Sequence, residues 1–394
     1  MQYRTDKKSG NKLSIMGFGC MRFPKNLTQI DMNRTEQLIV KAVEEGINYF
    51  DTAYIYGGSE EALGPILAKN NLRNKIFLAT KLPLAKCKKY ADFELLFKEQ
   101  LQRLQTDYID YYLMHNLGDT ITWKTLCELG IEKWIKEKKE SGQIKNIGFS
   151  FHGIHHEFIK LLDIYDWDFC QIQYNYINVN YQAGVVGLKK AAEKGLPVII
   201  MEPLLGGKLA NGLPKKAVEL FKAANNSLTP AAWALRWLWN QKEVTVVLSG
   251  MNDISQLEDN IETAKNAIPG MLTTTEEETY ESVMKIMMAS YKIPCTGCNY
   301  CMPCPQNVNI PACFSSYNVL YAVGMLPGFT QYVTSTGSLD PRKSYAASNC
   351  KECGACEKKC PQHIPIMKSL KDVRKKMEPF WLRPAVNVYM KLAR

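Results

Sequence analysis

The chain has 394 residues, 46% of them hydrophobic, and a formal net charge of +10; it can bury a large core and is long enough that a second module is expected. Eight basic and two acidic side chains fall within residues 368–394, which leaves the remainder only mildly basic. No nucleic-acid-binding pattern of interleaved basic and aromatic residues is present, and no apolar run approaches bilayer length. Met1–Lys12 is polar and lacks the apolar core of a secretory signal, so the expected location is the cytoplasm. There, thirteen cysteines, eight of them in two short blocks, read as metal ligands rather than disulfides.

In chain order, Leu13–Gly19 reads as a strand entering the turn Met16-Gly17-Phe18-Gly19-Cys20-Met21-Arg22. Gly17 and Gly19 have no third glycine and no helix opening after them, so a tight strand-end turn is preferred over a dinucleotide loop. Helix and strand patterns then alternate: helix 34–45, a strand ending at Asp51, helix 60–69, strand 75–80, helix 92–104, strand 108–114, helix 121–140 and strand 144–149. They continue with helix 157–163, strand 168–172, helix 185–194, strand 197–201, helices across 215–240, strand 244–248 and helix 254–266. Eight strand–helix units predict an α/β (β/α)8 TIM barrel within residues 1–290, with 275–290 as one more packed helix.

Three consecutive predicted strands end in Asp51, Lys81 and His115, with Tyr56 in the loop after the first. In a parallel barrel those ends share one mouth. A phenol is a poor acid at neutral pH; a nearby ammonium lowers its pKa, and a carboxylate holds the ammonium. Tyr56 could then protonate the alkoxide formed when hydride attacks a carbonyl, while a neutral His115 orients the carbonyl oxygen. The segments Phe50-Asp51-Thr52-Ala53-Tyr54-Ile55-Tyr56-Gly57, Ala79-Thr80-Lys81 and Leu113-Met114-His115-Asn116 resemble the catalytic tetrad segments of the aldo/keto reductase superfamily. The resemblance implies a barrel using a nicotinamide cofactor, with Tyr56 the acid, Lys81 and Asp51 tuning it, and His115 orienting the substrate.

It also implies a cofactor side. Gly19 and Cys20 would line the nicotinamide pocket, beside Asp51. Ser150 and Gln171 fall where the family holds the carboxamide, and Met201-Glu202 where many members have Tyr-Ser, so that Met201 would cover the nicotinamide ring with its thioether. Gly250, Gln256 and Asn260 match the adenosine-phosphate loop and helix, but no basic residue precedes Lys265 there. NAD(H) is therefore expected to bind at least as well as NADP(H).

Beyond residue 290 the composition changes. Cys295, Cys298, Cys301 and Cys304-Pro305 form one block; Cys350, Cys353, Cys356 and Cys360-Pro361 form another, with the Cys-x2-Cys-x2-Cys-x3-Cys-Pro spacing of bacterial ferredoxins. The first is one residue shorter before its last cysteine. Paired structural zinc sites are the alternative, but the third cysteine and following proline are surplus to that design. The blocks resemble those of aldo/keto reductases carrying an iron–sulfur domain, which implies a small, mostly helical dicluster domain over 291–375. By that resemblance one [4Fe–4S] cluster would use Cys295, Cys298, Cys301 and Cys360, and the other Cys350, Cys353, Cys356 and Cys304, with Cys313 a spare. Residues 318–333 show helical apolar spacing broken by Gly and Pro, and 376–394 form a basic amphipathic tail that could dock on the barrel, on a partner or at a membrane surface, packing on the barrel being preferred. Cys20, Cys87, Cys127 and Cys170 read as small buried hydrophobes.

Two functions follow. One is an oxidoreductase moving hydride between a nicotinamide and a small carbonyl or alcohol, its clusters exchanging electrons with a ferredoxin- or flavin-type partner. The other is a redox-sensing or electron-transfer module whose barrel binds cofactor with little turnover. Tyr56 with Lys81 favours the first. Joining a two-electron hydride to one-electron clusters calls for a flavin; no flavin motif is visible, and a flavin is left open.

Overall fold

The computed structural model describes residues 1–289, 291–295, 297, 299–322, 324–338, 344–360 and 362–379. Eight parallel strands close into a barrel in chain order: β1 (Met16–Gly19), β2 (Tyr49–Asp51), β3 (Phe77–Leu82), β4 (Ile109–Met114), β5 (Ile144–Phe151), β6 (Phe169–Gln173), β7 (Val198–Met201) and β8 (Val244–Ser249). β8 pairs with β1 to complete the ring. Alternate residues face inward, and Tyr49, Ala79, Tyr111, Leu113, Phe169 and Ile199 fill the centre. The same inward rows, followed two residues further, reach Asp51, Lys81, His115 and Gln171, so the packing that fills the barrel also aims the polar groups at its mouth. Gly17 is required where β1 approaches β8: a Cβ there would stand 2.7 Å from Leu248. Opposite the mouth, a hairpin of Tyr3–Thr5 and Lys12–Ser14 closes the floor, with Tyr111 donating to Asp6 Oδ2 at 2.8 Å.

Helices α1 (Met32–Glu44), α2 (Ser59–Lys69) and α3 (Tyr90–Leu104) follow the first three strands. The expected single helix over 121–140 is two, α4 (Thr120–Glu128) and α5 (Ile131–Glu140), because Gly130 takes φ +90°, a backbone state that favours glycine. α6 (His155–Ile164) and α7 (Gly184–Glu193) follow β5 and β6. The 215–240 region contains α9 (Lys215–Ala224) and α10 (Pro230–Trp239), preceded by the short α8 (Lys208–Asn211). α11 (Ile254–Lys265) and α12 (Thr274–Ala289) complete the barrel. β3 starts two residues later than expected, because Arg73–Lys75 is a 3-10 turn, and runs on to Leu82; Lys81 therefore lies inside the strand, paired with Leu113 of β4.

The cysteine-rich part carries α13 (Ile310–Ala322), α14 (Met325–Thr336) and α15 (Ile366–Met377) around a small core that includes Val308, Phe314, Tyr332 and Val373. The expected break in the apolar stretch falls at Gly324, φ +129°. α15 takes in the first two residues of the expected tail, and from residue 380 the tail lies outside the described residues. Among the described residues no helix is long and apolar enough to cross a membrane.

Candidate active site and metal centre

Asp51, Tyr56, Lys81 and His115 meet at the barrel mouth. Lys81 Nζ donates to Asp51 Oδ1 at 2.6 Å and to the Thr52 carbonyl at 2.7 Å. The pair is buried, with side chains 1% and 5% exposed. Asp51 Oδ2 accepts from Gln171 Nε2 at 2.9 Å, so both carboxylate oxygens are held. Tyr56 stands across from them: Lys81 Nζ lies 5.1 Å from its ring centroid, and the ring meets His115 edge-on at 5.9 Å.

The electrostatics correct one expectation. Burial raises the Tyr56 pKa above its ordinary value; Lys81 offsets part of the rise and Asp51 adds to it. Tyr56 is thus a full phenol at neutral pH, the state a proton donor requires. For Lys81, burial alone acts downward, but Asp51 and Tyr56 turn the net shift upward and keep it an ammonium. His115 is pushed down to about 3, first by burial and then by Lys81 and His152. Its imidazole is neutral, and Nδ1 is buried with no hydrogen-bond partner.

The cofactor-side residues are brought to the same mouth, several of them already engaged. Ser150 Oγ accepts from the Asn116 amide at 2.8 Å. Met201 is half-buried opposite Gln173, and exposed Glu202 adopts φ +54°. Gly19 pairs in register with Asp51. The Cys20 thiol is fully buried and raised well up by burial and Asp51, which makes it inert. On α11, Gln256 Oε1 accepts from the Asn252 amide at 3.2 Å, and buried Asn260 turns inward to donate to Ser249 Oγ at 3.1 Å. Asn260 thus supports the end of β8.

Four residues escaped the sequence reading. Gln173, 2% exposed, has no partner for either amide atom. Its signal was its inward spacing from Gln171. His152 stands two residues past Ser150, its Nδ1 3.0 Å from Gln182 Oε1 and its Nε2 4.0 Å from Glu202. The other two bear on the missing basic partners. Because β1 and β8 are neighbours, Arg22 covers Gly250, its side chain 3.5 Å from where a Cβ would stand, and donates to the Gly206 carbonyl at 3.1 Å. Arg34 Nη2 reaches the Asn252 carbonyl and Asp253 Oδ2, each at 3.5 Å. Only ring closure shows this adjacency.

In the cysteine-rich part, Cys295, Cys301 and Cys360 line one recess, partly open to solvent, with Ile310, Phe314, Ile364 and Ile366. Cys298 lies outside the described residues. Burial raises the Cys356 thiol, and Cys304 and Cys350 stand close enough to add to the rise. Cys353 is exposed. The blocks share a local device: the Gly297 amide lies 3.5 Å from Cys295 Sγ, and the Glu352 amide 3.4 Å from Cys350 Sγ, each residue at positive φ. Such turns wrap backbone donors around sulfur, which suits thiolates. Cys313 is fully buried in α13, its sulfur 4.0 Å from the Tyr345 carbonyl. Among the described residues no three potential ligands converge into a metal cage. The soft donor set and the apolar recess nonetheless fit an iron–sulfur centre. Of the cysteines read as small hydrophobes, Cys20, Cys87 and Cys170 are buried and Cys127 is half-buried.

The fold and mouth define an oxidoreductase barrel with a cysteine-rich appendix. The aldo/keto reductase family profile matches residues 15–271, and that of the 4Fe-4S dicluster domain residues 294–364. The chain belongs to the aldo/keto reductase family and carries a 4Fe-4S dicluster domain at its C-terminal end. It is 27% identical to the L-galactose dehydrogenase of Arabidopsis thaliana over 296 residues, 66% of this chain and 87% of that one. It is also 27% identical to the methylglyoxal reductase YeaE of Escherichia coli, over 63% of this chain and 84% of that one. The holo structure of aldo-keto reductase AKR11C1 from Bacillus halodurans is 26% identical and superposes with a TM-score of 0.58, covering 72% of this chain and 96% of that one.

Proposed function

We propose that the protein reduces a small carbonyl, or oxidises the matching alcohol, at the Asp51–Tyr56–Lys81–His115 site with a nicotinamide cofactor. The observation that carries this reading is the buried Lys81–Asp51 pair beneath the Tyr56 phenol; a barrel that merely bound a nucleotide would have no use for it. When bound, the nicotinamide supplies or accepts the hydride. Neutral His115 orients the substrate oxygen, Tyr56 delivers its proton to the developing alkoxide, and Lys81 stabilises the phenolate left behind. The unpaired Gln173 amide offers a partner for a carboxamide, with Ser150 and Gln171 beside it, and Met201 a face for the ring. Arg22 and Arg34 favour NADP(H) over the expected NAD(H), because a 2′-phosphate gains from charge-assisted hydrogen bonds.

Residues 291–375 would form the dicluster domain. The recess shared by Cys295, Cys301 and Cys360 supports Cys360, with Cys298, as the crossed ligand of one cluster. The nearness of Cys304 and Cys350 to Cys356 supports a second with Cys353. Those centres would supply one-electron chemistry.

The test is one anaerobic preparation, assayed with simple aldehydes and either reduced nicotinamide, with iron and sulfide determined on the same sample. Absence of turnover with every aldehyde would sink the reductase reading and favour a redox-sensing module, whereas zinc without iron would sink the cluster reading alone.

A further inference from the structure

The two cysteine blocks face different surroundings. The first is turned toward the barrel: the Tyr181 hydroxyl donates to the Cys295 carbonyl at 3.1 Å, and Asn299 Nδ2 to the Asn180 carbonyl at 3.2 Å. The Tyr181 ring lies 3.2 Å from where a Cβ on Gly297 would stand. The second block is turned outward. Cys353 is exposed, and so are Lys351, Lys358 and Lys359 around it.

α15 extends that surface. Its inner side, Ile366, Leu370, Val373 and Met377, is buried in the module core, while Lys368, Lys371, Arg374 and Lys375 are exposed. Two contacts tie it to the second block: Lys371 Nζ to Glu352 Oε2 at 2.7 Å, and the Met367 amide to Glu357 Oε1 at 2.8 Å. Among the described residues, Lys371 is the only basic group of this face with a carboxylate partner.

A charged helix face is ordinarily just a solvated one, and α5 shows that case. Its Lys133, Lys136, Lys138 and Lys139 are each paired with a carboxylate. The α15 face is different: among the described residues most of its basic groups have no carboxylate partner, Asp372 being the one exposed acid on the helix, and it lies next to the exposed cysteine. Uncompensated charge around one point of contact steers an oppositely charged protein and sets its orientation.

We propose that the basic face formed by α15 and the second cysteine block is the docking surface for an acidic one-electron carrier protein. The proposal rests on the reading that the second block holds a cluster. A cluster held by that block would supply one-electron chemistry: in the encounter one electron would pass between it and the carrier, one partner being oxidised by one electron and the other reduced by one, with no bond made or broken. The inward-facing first block would then lie between the docking surface and the barrel.

The experiment measures binding of a purified [2Fe–2S] ferredoxin of strongly negative net charge to anaerobically prepared full-length protein across a salt series. Affinity should fall steeply with salt, since screening acts over about 10 Å at 0.1 M. The double variant Lys368→Glu/Lys375→Glu should weaken binding at low salt by about tenfold or more and flatten the salt dependence. Lys133→Glu/Lys136→Glu on α5 should leave it unchanged. Iron content and the paramagnetic resonance of the reduced protein, taken on each variant, keep the two readings apart. With clusters intact, equal loss in both variants or no salt-dependent binding would overturn the docking surface. So would binding to phosphatidylglycerol vesicles, lost on the α15 reversals, in place of the ferredoxin. Absence of iron in the unmutated protein would remove the cluster reading, and this proposal with it.

Discussion

In the barrel, the candidate catalytic groups sit on or just beyond strands paired on both sides, and the ion pair among them is already held: Lys81 to Asp51, Asp51 to Gln171. In the cysteine module the candidate ligands sit on turns between short helices, beside residues at positive φ such as Gly297, Asn299, Glu352 and Gly354, around a small core. The barrel packs Tyr49, Tyr111 and Phe169 beneath its site and needs no ligand to hold it. The module has far fewer apolar side chains to bury, so its turns lean on the metal for folding free energy. One site is positioned by the fold, and the other helps to make the fold.

The largest effect should come from the barrel. Tyr56→Phe keeps the ring and removes the proton, so turnover of a simple aldehyde should drop by about a thousandfold while cofactor binding stays nearly unchanged. Lys81→Met should act alike, because Lys81 is what offsets the upward pull of burial on the phenol. Substantial turnover by Tyr56→Phe would refute the tetrad assignment.

The second expected effect distinguishes the regions directly. If each fourth ligand lies on the opposite segment, as proposed, Cys304→Ala should damage the cluster of the second block and Cys360→Ala that of the first. Hydrogen exchange on the same samples should show the module loosened and the barrel protected. Loss of one cluster by iron analysis and resonance supports the crossed pairing; damage in each case to the block that carries the mutation would reverse it.

The third concerns pH. His115 is held neutral with a pKa of about 3, below its ordinary 6.5. A depressed histidine pKa means the unfolded chain takes up the proton first. The imidazole therefore costs no stability above pH 6.5 and destabilises the fold progressively as pH falls toward 3, by up to about 1.4 kcal/mol per unit. Urea unfolding of the intact protein and His115→Asn at pH 7 and pH 5 isolates this slope. Parallel losses in both proteins would show that His115 is not buried neutral.

Much of this was legible in the sequence, and the reason lies in the period of the strands. Asp51, Lys81 and His115 could be placed at one mouth because each closes an apolar run, and a parallel barrel gives those runs a common end. The cysteine spacing was equally plain. Illegible were the groups whose role depends on ring closure or loop shape. Arg22 and Arg34 follow the first strand but reach the loop after the last. His152 looks like an ordinary loop residue until Gln182 and Glu202 approach it from two other strand ends. The direction of the Tyr56 shift was missed for a related reason: burial outweighs the ammonium, and burial depends on what surrounds the ring.

The fourth effect is smaller and tests that adjacency. Arg34→Gln should weaken NADPH binding by about tenfold and leave NADH binding nearly unchanged, the loss of one charged contact to a phosphate. Fluorescence titration of both reduced forms decides it. Equal weakening of the two would place Arg34 at the shared pyrophosphate or in a structural role with Asp253.

The smallest expected effect cuts between the two regions. Tyr181→Phe removes the hydroxyl that donates to the Cys295 carbonyl while keeping the ring packed on Gly297. A single neutral hydrogen bond contributes about 1 kcal/mol net, so the module should lose about that much local stability, seen as faster exchange of amides near residue 295. The barrel mouth should be unaffected, because Lys81 and Asp51 make no use of Tyr181. Gln182, however, follows Tyr181 directly and is bonded to His152, so a slackened loop could pass into the site. If kcat for aldehyde reduction falls along with module protection, the regions are coupled through residues 181–182 and the barrel is not indifferent to its appendix. If protection falls alone, the barrel holds its site by itself.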